Sequence, residues 1–253
     1  MNTKRTALIT GASSGIGMAT AKKLASDYRL ILCGRRQERL DELKKELSVF
    51  TDVITLVFDV REKANVFSSI ESLPQEWQSI DVLINNAGNA HGLATFDTAE
   101  IEDLEAMIDI NVKGLIHVSK AVIPYLKQSE NAHIVNLSSI AGKEVYLNGA
   151  TYCASKAAVE SLSKGMRYDL QPYGVKVTNV APGAVETEFS LVRFKGDEEK
   201  SSNVYKGFEP LVAEDIADTI AYALNAPKHV QIADVTIFPR AQAGGTAIFK
   251  NLE

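Results

Sequence analysis

Apolar residues along this chain gather into short runs, each followed by a longer stretch in which they recur at helical spacing. The runs lie at residues 5–10, 29–33, 53–58, 80–84, 133–137 and 176–180. Runs of this length, bounded by turn residues, read as buried strands. Residues 18–25, 37–47, 61–72 and 100–125, and the stretch opening at Tyr152, read as helices. Strands alternating with helices of this length predict a parallel sheet covered by helices on both faces. Ligands of such sheets bind just outside the carboxyl ends of the strands. The loops that follow the runs are therefore where chemistry is to be sought.

Length and charge narrow the class. A chain of 253 residues suits one α/β domain, here spanning 1–253. The net charge of −5, with no block of lysine and arginine, excludes a nucleic-acid footprint. Two cysteines, Cys33 and Cys153, are too few for a disulfide framework, and both are expected to be reduced. The four histidines, His91, His117, His133 and His229, lack ligand spacing, so no metal site is expected. No signal-peptide core precedes the first strand and no apolar run is long enough for a bilayer span. The expectation is a cytoplasmic domain with no membrane partner.

The loops carry the chemistry. The first strand opens into Thr10-Gly11-Ala12-Ser13-Ser14-Gly15-Ile16-Gly17 and then a helix. A glycine-rich turn between strand and helix lets the backbone approach a pyrophosphate, which the helix N-terminus attracts. The second strand ends at Gly34-Arg35-Arg36, with no carboxylate to bind a ribose 2′-hydroxyl. Arginine forks suit a 2′-phosphate, which favours NADP over NAD. Asp59, before Val60, either accepts from an adenine amino group or caps the next helix. Asn85-Asn86-Ala87-Gly88 suits a ribose floor or a hydrogen-bonded bend. Asn111, inside a long predicted helix, is either a satisfied core amide or the site of a break that frees a carbonyl for water. The fifth strand gives out into Ser138 and Ser139, and the helix beyond carries Tyr152 and Lys156, four apart and so on one face. A free phenol has a pKa near ~10 and is a poor base, and an adjacent ammonium favours its phenolate. A serine hydroxyl beside it would hold a carbonyl or alcohol oxygen. The sixth strand leads into Pro182-Gly183-Ala184-Val185-Glu186-Thr187.

Together, residues 10–17, 85–88, Asn111, Ser139, Tyr152, Lys156 and Pro182-Gly183 resemble the motifs of the short-chain dehydrogenase/reductase family over essentially the whole chain. The resemblance implies a Rossmann-type doubly wound parallel sheet of about seven strands. It implies Tyr152 as acid/base, with Lys156 lowering its pKa and bonding the nicotinamide ribose. Ser139, thirteen positions before Tyr152 as in the family, would polarise the substrate oxygen. Asn111 would hold a relay water. The cofactor would lie on Gly11, Ser13, Ser14, Gly15, Ile16, Gly17, Arg35, Arg36, Asp59, Val60, Asn86, Ala87, Gly88, Pro182, Gly183, Val185 and Thr187. One departure is Ser14, where many NADP-using members carry a basic residue.

Residues 187–197, with Asn203-Val204-Tyr205, occupy the family's variable substrate lid, expected within 187–210. The stretch resembles the lid of NADP-dependent 3-hydroxy acid dehydrogenases, and the tail 236–243 is similar to theirs. A carboxylate substrate needs a cation, and Arg193 is either that cation or a surface residue of a charged loop. The expected activity is hydride transfer between NADP and serine, L-allo-threonine, 3-hydroxyisobutyrate or a similar acid. A broader carbonyl or 3-ketoacyl reductase is the alternative, and a non-catalytic NADP sensor a remoter one. The resemblance also implies a homo-oligomer, with a tetramer favoured.

Overall fold

The computed structural model describes residues 4–251. Alternation along each strand sets its layers. In β1 (Arg5–Thr10), Ala7 and Ile9 join one apolar cluster and Leu8 another. In β2 (Tyr28–Gly34), Leu30 and Leu32 belong to the first cluster, and Ile31 and Cys33 to the second. A sheet buried on both faces gives strands that read as continuous apolar runs. With β3 (Val53–Val57), β4 (Val82–Asn85), β5 (His133–Leu137), β6 (Lys176–Pro182) and β7 (Asp234–Ile237), the sheet has seven strands in the order β3-β2-β1-β4-β5-β6-β7. Every pairing is parallel. The expected architecture is therefore found. β7, a half-exposed edge strand of alternating polar and apolar residues, lacks the apolar run that marks the other six.

The helices are α1 (Gly15–Leu24), α2 (Gln37–Leu47), α3 (Lys63–Glu71), α4 (Ile101–Ile108), α5 (Leu115–Leu126), α6 (Ala150–Leu170), α7 (Glu188–Arg193), α8 (Glu198–Asn203) and α9 (Ala213–Leu224). Helices α1, α2 and α9 lay Leu24, Leu40, Leu43, Ile216 and Ile220 on one face. Helices α3, α5 and the end of α6 cover the other with Val66, Ile70, Val118, Val122 and Leu170. Among the described residues no helix is long and apolar enough to cross a membrane.

The single helix expected over 100–125 is not continuous. A six-residue π-helical segment, Asp109–Gly114, separates α4 from α5, with Asn111 inside it. Both readings of Asn111 hold in part: the helix is bulged, and the amide is satisfied, as described below. Strand order reverses direction between β1 and β4, which creates a switch point where a crevice opens at the carboxyl ends.

His133, at the start of β5, is 3% exposed, and its Nε2 lies 2.8 Å from Thr178 Oγ1. Burial holds its pKa down to about 3. The folded value lies below the ordinary ~6.5, so above that pH neither state is protonated and the residue adds no penalty. As pH falls from ~6.5 towards 3, the unfolded chain takes up a proton that the folded chain refuses, and stability drops. Urea unfolding between about pH 7 and pH 4 should show His133→Gln losing less stability than the wild type, by up to ~1.4 kcal/mol per pH unit.

Candidate active site

The turn after β1 is built for close approach of another molecule's backbone or phosphates. Gly11 has φ of +65°, and a Cβ there would lie 2.8 Å from Asn86 Nδ2. A Cβ on Gly17 would run into the carbonyl of Gly11. Both positions therefore require glycine. Ser14, the N-cap of α1, makes no side-chain cap, and the first turn carries no acid, so the helix end keeps its N–H groups and dipole for an anion. The turn is clasped to β4 by Thr10. Its hydroxyl accepts from the N–H groups of Asn86 and Ala87 at 3.0 Å each and donates to the Ile84 carbonyl at 3.3 Å. The Asn86 amide donates back to the Thr10 and Gly11 carbonyls, at 2.9 and 3.3 Å. The bend reading of residues 85–88 thus holds, while Asn86, Ala87 and Gly88 also face the crevice.

A cavity of about 580 Å³ runs over these strand ends. It brings Gly11, Ser13, Ser14, Gly15, Ile16, Arg35, Arg36, Asp59 and Val60 together with Ser139, Tyr152, Lys156, Pro182, Gly183, Val185, Thr187 and Arg193. Of the residues to which the sequence assigns a catalytic, cofactor or substrate role, Gly17 and Asn111 are absent from its wall. Asn111 stands behind it, 1% exposed. Its Oδ1 accepts from the Asn89 N–H at 2.7 Å, and its Nδ2 donates to the Asn89 carbonyl at 2.8 Å and to Ser155 Oγ at 3.0 Å. A Cβ on Gly88 would stand 3.0 Å from Asn111 Oδ1 and 3.2 Å from Lys156 Nζ, so glycine keeps this gap open.

Tyr152 and Lys156 project from α6 and are both nearly buried. Lys156 Nζ donates to the Leu137 carbonyl at 2.9 Å and lies 6.0 Å from the centre of the Tyr152 ring. Burial lowers its pKa to about 8. Burial likewise pushes the Tyr152 phenol up, Tyr146 adds to that, and Ser139 and Arg193 oppose it. Lys156 is thus itself desolvated and turned to a backbone carbonyl. Ser139 Oγ accepts from the Ala141 N–H at 3.2 Å and donates to the Pro182 carbonyl at 3.4 Å. Ser138 instead donates to the Lys156 carbonyl and to Glu160 Oε1, at 3.1 and 3.2 Å, which commits its hydroxyl to the core.

At the other end of the cavity, Arg36 folds back over the glycine turn. Its Nη2 donates to Ser14 Oγ at 2.7 Å and Ser13 Oγ at 3.1 Å. Ser14 is thus supplied with a guanidinium from the N-cap of α2. Asp59 does not cap α3, whose N-cap is Glu62. Burial would raise its carboxyl, but hydrogen bonds from Arg61 and the charge of Arg35 hold it below the usual range. Arg61 reaches it with Nη2 at 2.7 Å, and Arg35 Nη1 lies 3.4 Å away.

Helix α7 opens the segment expected to form the lid. Thr187 caps it by accepting from the Phe189 N–H at 3.2 Å, and the Phe189 ring lies 5.7 Å from that of Tyr152. Arg193, at its last position, is a wall residue and not a loop ornament. Its Nη2 donates to Tyr146 Oη at 3.1 Å and its Nε to the Gly92 carbonyl at 3.3 Å, and its guanidinium sits 5.6 Å from the Tyr152 ring centre. Sequence reasoning missed Tyr146, Phe189 and Gln242. Gln242 Oε1 accepts from the Ala184 N–H at 2.8 Å, across 58 positions, a contact that no local pattern marks. Among the described residues no three His, Cys, Asp or Glu side chains group as metal ligands.

Residues 5–197 match the family model for short chain dehydrogenase. An NADP-dependent 3-hydroxy acid dehydrogenase of Schizosaccharomyces pombe is 42% identical over 250 residues, covering 97% of this chain and 96% of that protein. Sulfoacetaldehyde reductase 2 of Chromohalobacter salexigens is 45% identical over 238 residues, 93% of this chain and 94% of its own. Among solved structures, the closed form of a serine dehydrogenase complexed with NADP+ superposes with a TM-score of 0.89 at 40% identity, covering 94% of this chain and 96% of that one. Fold, crevice and sequence match agree, and the chain belongs to the short-chain dehydrogenase family.

Proposed function

We propose that this enzyme uses NADP to oxidise the alcohol of a small 3-hydroxy acid, such as serine, L-allo-threonine or 3-hydroxyisobutyrate, and runs the reverse reduction. One observation carries the reading: the Arg193 guanidinium stands 5.6 Å from the Tyr152 ring, so a cation faces the reacting end of the cavity. The relatives named above act on acids and on a sulfonated aldehyde, each of which carries an anionic carboxylate or sulfonate group.

The cofactor supplies the hydride-exchanging nicotinamide. The glycine turn and the α1 N-terminus hold its phosphates, and Arg35 and Arg36 hold the 2′-phosphate. Asn86, Ala87, Gly88, Asp59 and Val60 line the adenosine and ribose path, and Pro182, Gly183, Val185 and Thr187 line the nicotinamide end. Ser139 then holds the substrate oxygen, and Tyr152 takes the hydroxyl proton on oxidation and returns it on reduction. Lys156, with a pKa near 8, is mostly protonated at neutral pH and bonds the nicotinamide ribose. Asn111, bonded to Asn89 and Ser155, steadies the backbone beside a relay water. Arg193 pairs with the substrate carboxylate, and Tyr146 braces the guanidinium. The chain acts as one catalytic domain with 187–210 as its lid. Apolar Ile116 on α5 and Tyr168 on α6, both solvent-exposed, support a homotetramer, and the acidic, disulfide-free chain supports a cytoplasmic setting. Reduction of a short sulfonated aldehyde is the second reading, favoured by the 45% identical relative.

Initial rates of NADPH formation with the three acids, and of NADPH consumption with sulfoacetaldehyde, separate the two. Turnover confined to the aldehyde removes the 3-hydroxy acid reading. Tyr152→Phe should reduce kcat on the preferred substrate by about 10²–10⁴-fold with the fold intact by circular dichroism. Arg193→Ala should raise KM for the acid by ~10-fold or more, the loss of a charge-assisted pair, with a smaller change in kcat. An unchanged KM takes Arg193 out of the site.

A further inference from the structure

Glu188 opens the lid helix α7, yet its carboxylate belongs to the opposite end of the cavity. Its Oε1 accepts from Arg39 Nη1 at 2.7 Å, and its Oε2 from Arg39 Nη1 at 3.0 Å and Arg36 Nη1 at 3.1 Å. Arg36 is the same residue that reaches Ser13 and Ser14 on the glycine turn. One carboxylate is therefore shared by two guanidiniums, one of them a residue assigned above to the cofactor's 2′-phosphate. Burial would raise the Glu188 carboxyl, but the bonds from Arg39 and Arg36 hold it below its usual value, so it is an anion at neutral pH. The preceding residue, Thr187, faces the turn as well: a Cβ added to Gly15 would come 3.4 Å from Thr187 Cβ. The root of the lid is thus tied to the phosphate-binding turn by charge, through Arg36.

Resting on the NADP reading, we infer that Glu188 is a built-in competitor for the 2′-phosphate, and that Arg39 is a further determinant of NADP preference. The two arginines carry two positive charges and one carboxylate. A phosphate monoester near neutral pH brings about −1.5 to −2 charge and three acceptor oxygens, against one charge and two oxygens for Glu188. It therefore takes over the guanidinium forks, and Glu188 is released. All three side chains are partly exposed, at 42% and 45% for Arg36 and Arg39 and 44% for Glu188. The displaced pairs are consequently weak, which lets a ligand exchange with them. NADH has no 2′-phosphate with which to claim the arginines, so Glu188 keeps them.

Dissociation constants for NADPH and NADH, measured by isothermal titration calorimetry on wild type, Glu188→Gln and Arg39→Ala, test this without any turnover. Glu188→Gln keeps the shape and removes the charge. It should tighten NADPH by about threefold or more while NADH moves less than about twofold, the scale of one exposed ion pair. Arg39→Ala should weaken NADPH by a similar factor and spare NADH. The NADPH advantage should shrink in high salt for each protein. Weaker NADPH binding by Glu188→Gln, or an equal change for both nucleotides, overturns the competitor and leaves Glu188 as a brace for the arginines. Wild type binding both nucleotides equally overturns the NADP reading itself, and the inference with it.

Discussion

The Thr10 hydroxyl sits where the sheet changes direction, and three hydrogen bonds converge on it. It is 2% exposed, accepts two backbone N–H groups from the turn after β4 and donates to the carbonyl of Ile84. Without it the Ala87 N–H would lose its acceptor, at a cost of up to ~1–3 kcal/mol, while the Asn86 N–H also reaches the Ile84 carbonyl at 3.1 Å. Those bonds fix the spacing between the first and fourth strand ends, and everything functional hangs from that spacing. Gly11 and Gly17 have room for backbone only, because Asn86 is drawn against them. Gly88 follows two residues later and leaves the gap beside Asn111 and Lys156.

Along the cavity so fixed, positive charge is distributed in three places with three degrees of burial. Arg36 is about half exposed at the glycine turn, Lys156 is 6% exposed in the middle, and Arg193 is partly buried at the end of α7. Burial does opposite work on the two ends of the proton-transfer pair. It weakens the ammonium of Lys156 and strengthens the hold of Tyr152 on its proton, so the two pKa values, ordinarily close together, move apart. Opposing that hold are Ser139 and Arg193, one from a strand end and one from the end of α7. The acid/base residue is thus tuned by elements far apart in the chain.

How much of this could be read in the sequence follows from range. Six strands and their helices were legible because burial on both faces produces runs that need no long-range information. The glycine turn and the Tyr152–Lys156 pair were legible for the same reason: each is a local pattern with a local cause. β7 was not located, since a half-exposed edge strand of four residues has no apolar signal of its own. The setting of Asn111 was visible only as a choice between two readings, because the partners of its amide are Asn89 and Ser155, 22 and 44 positions away. Asp59 had two readings as well, and the capping one fell to the neighbouring Arg61, which claims the carboxylate. Tyr146, Gln242 and Glu188 act through contacts spanning 47, 58 and about 150 positions, for which one sequence offers no trace.

The π-helical segment between α4 and α5 has a bearing on what the chain can tolerate. A π turn holds one residue more than an α turn, and such insertions persist where function depends on them. Deleting a single residue within 109–114 would restore ordinary helix and leave α5 nearly in phase with α4, because the wider turn absorbs the extra residue. Val118, Val122 and Leu126 would keep their place on the sheet. What the extra residue changes is local: it swells the turn that carries Asn111 towards Asn89 and Ser155. The amphipathic stripe of α5 is thus indifferent to a residue on which the setting of Asn111 depends.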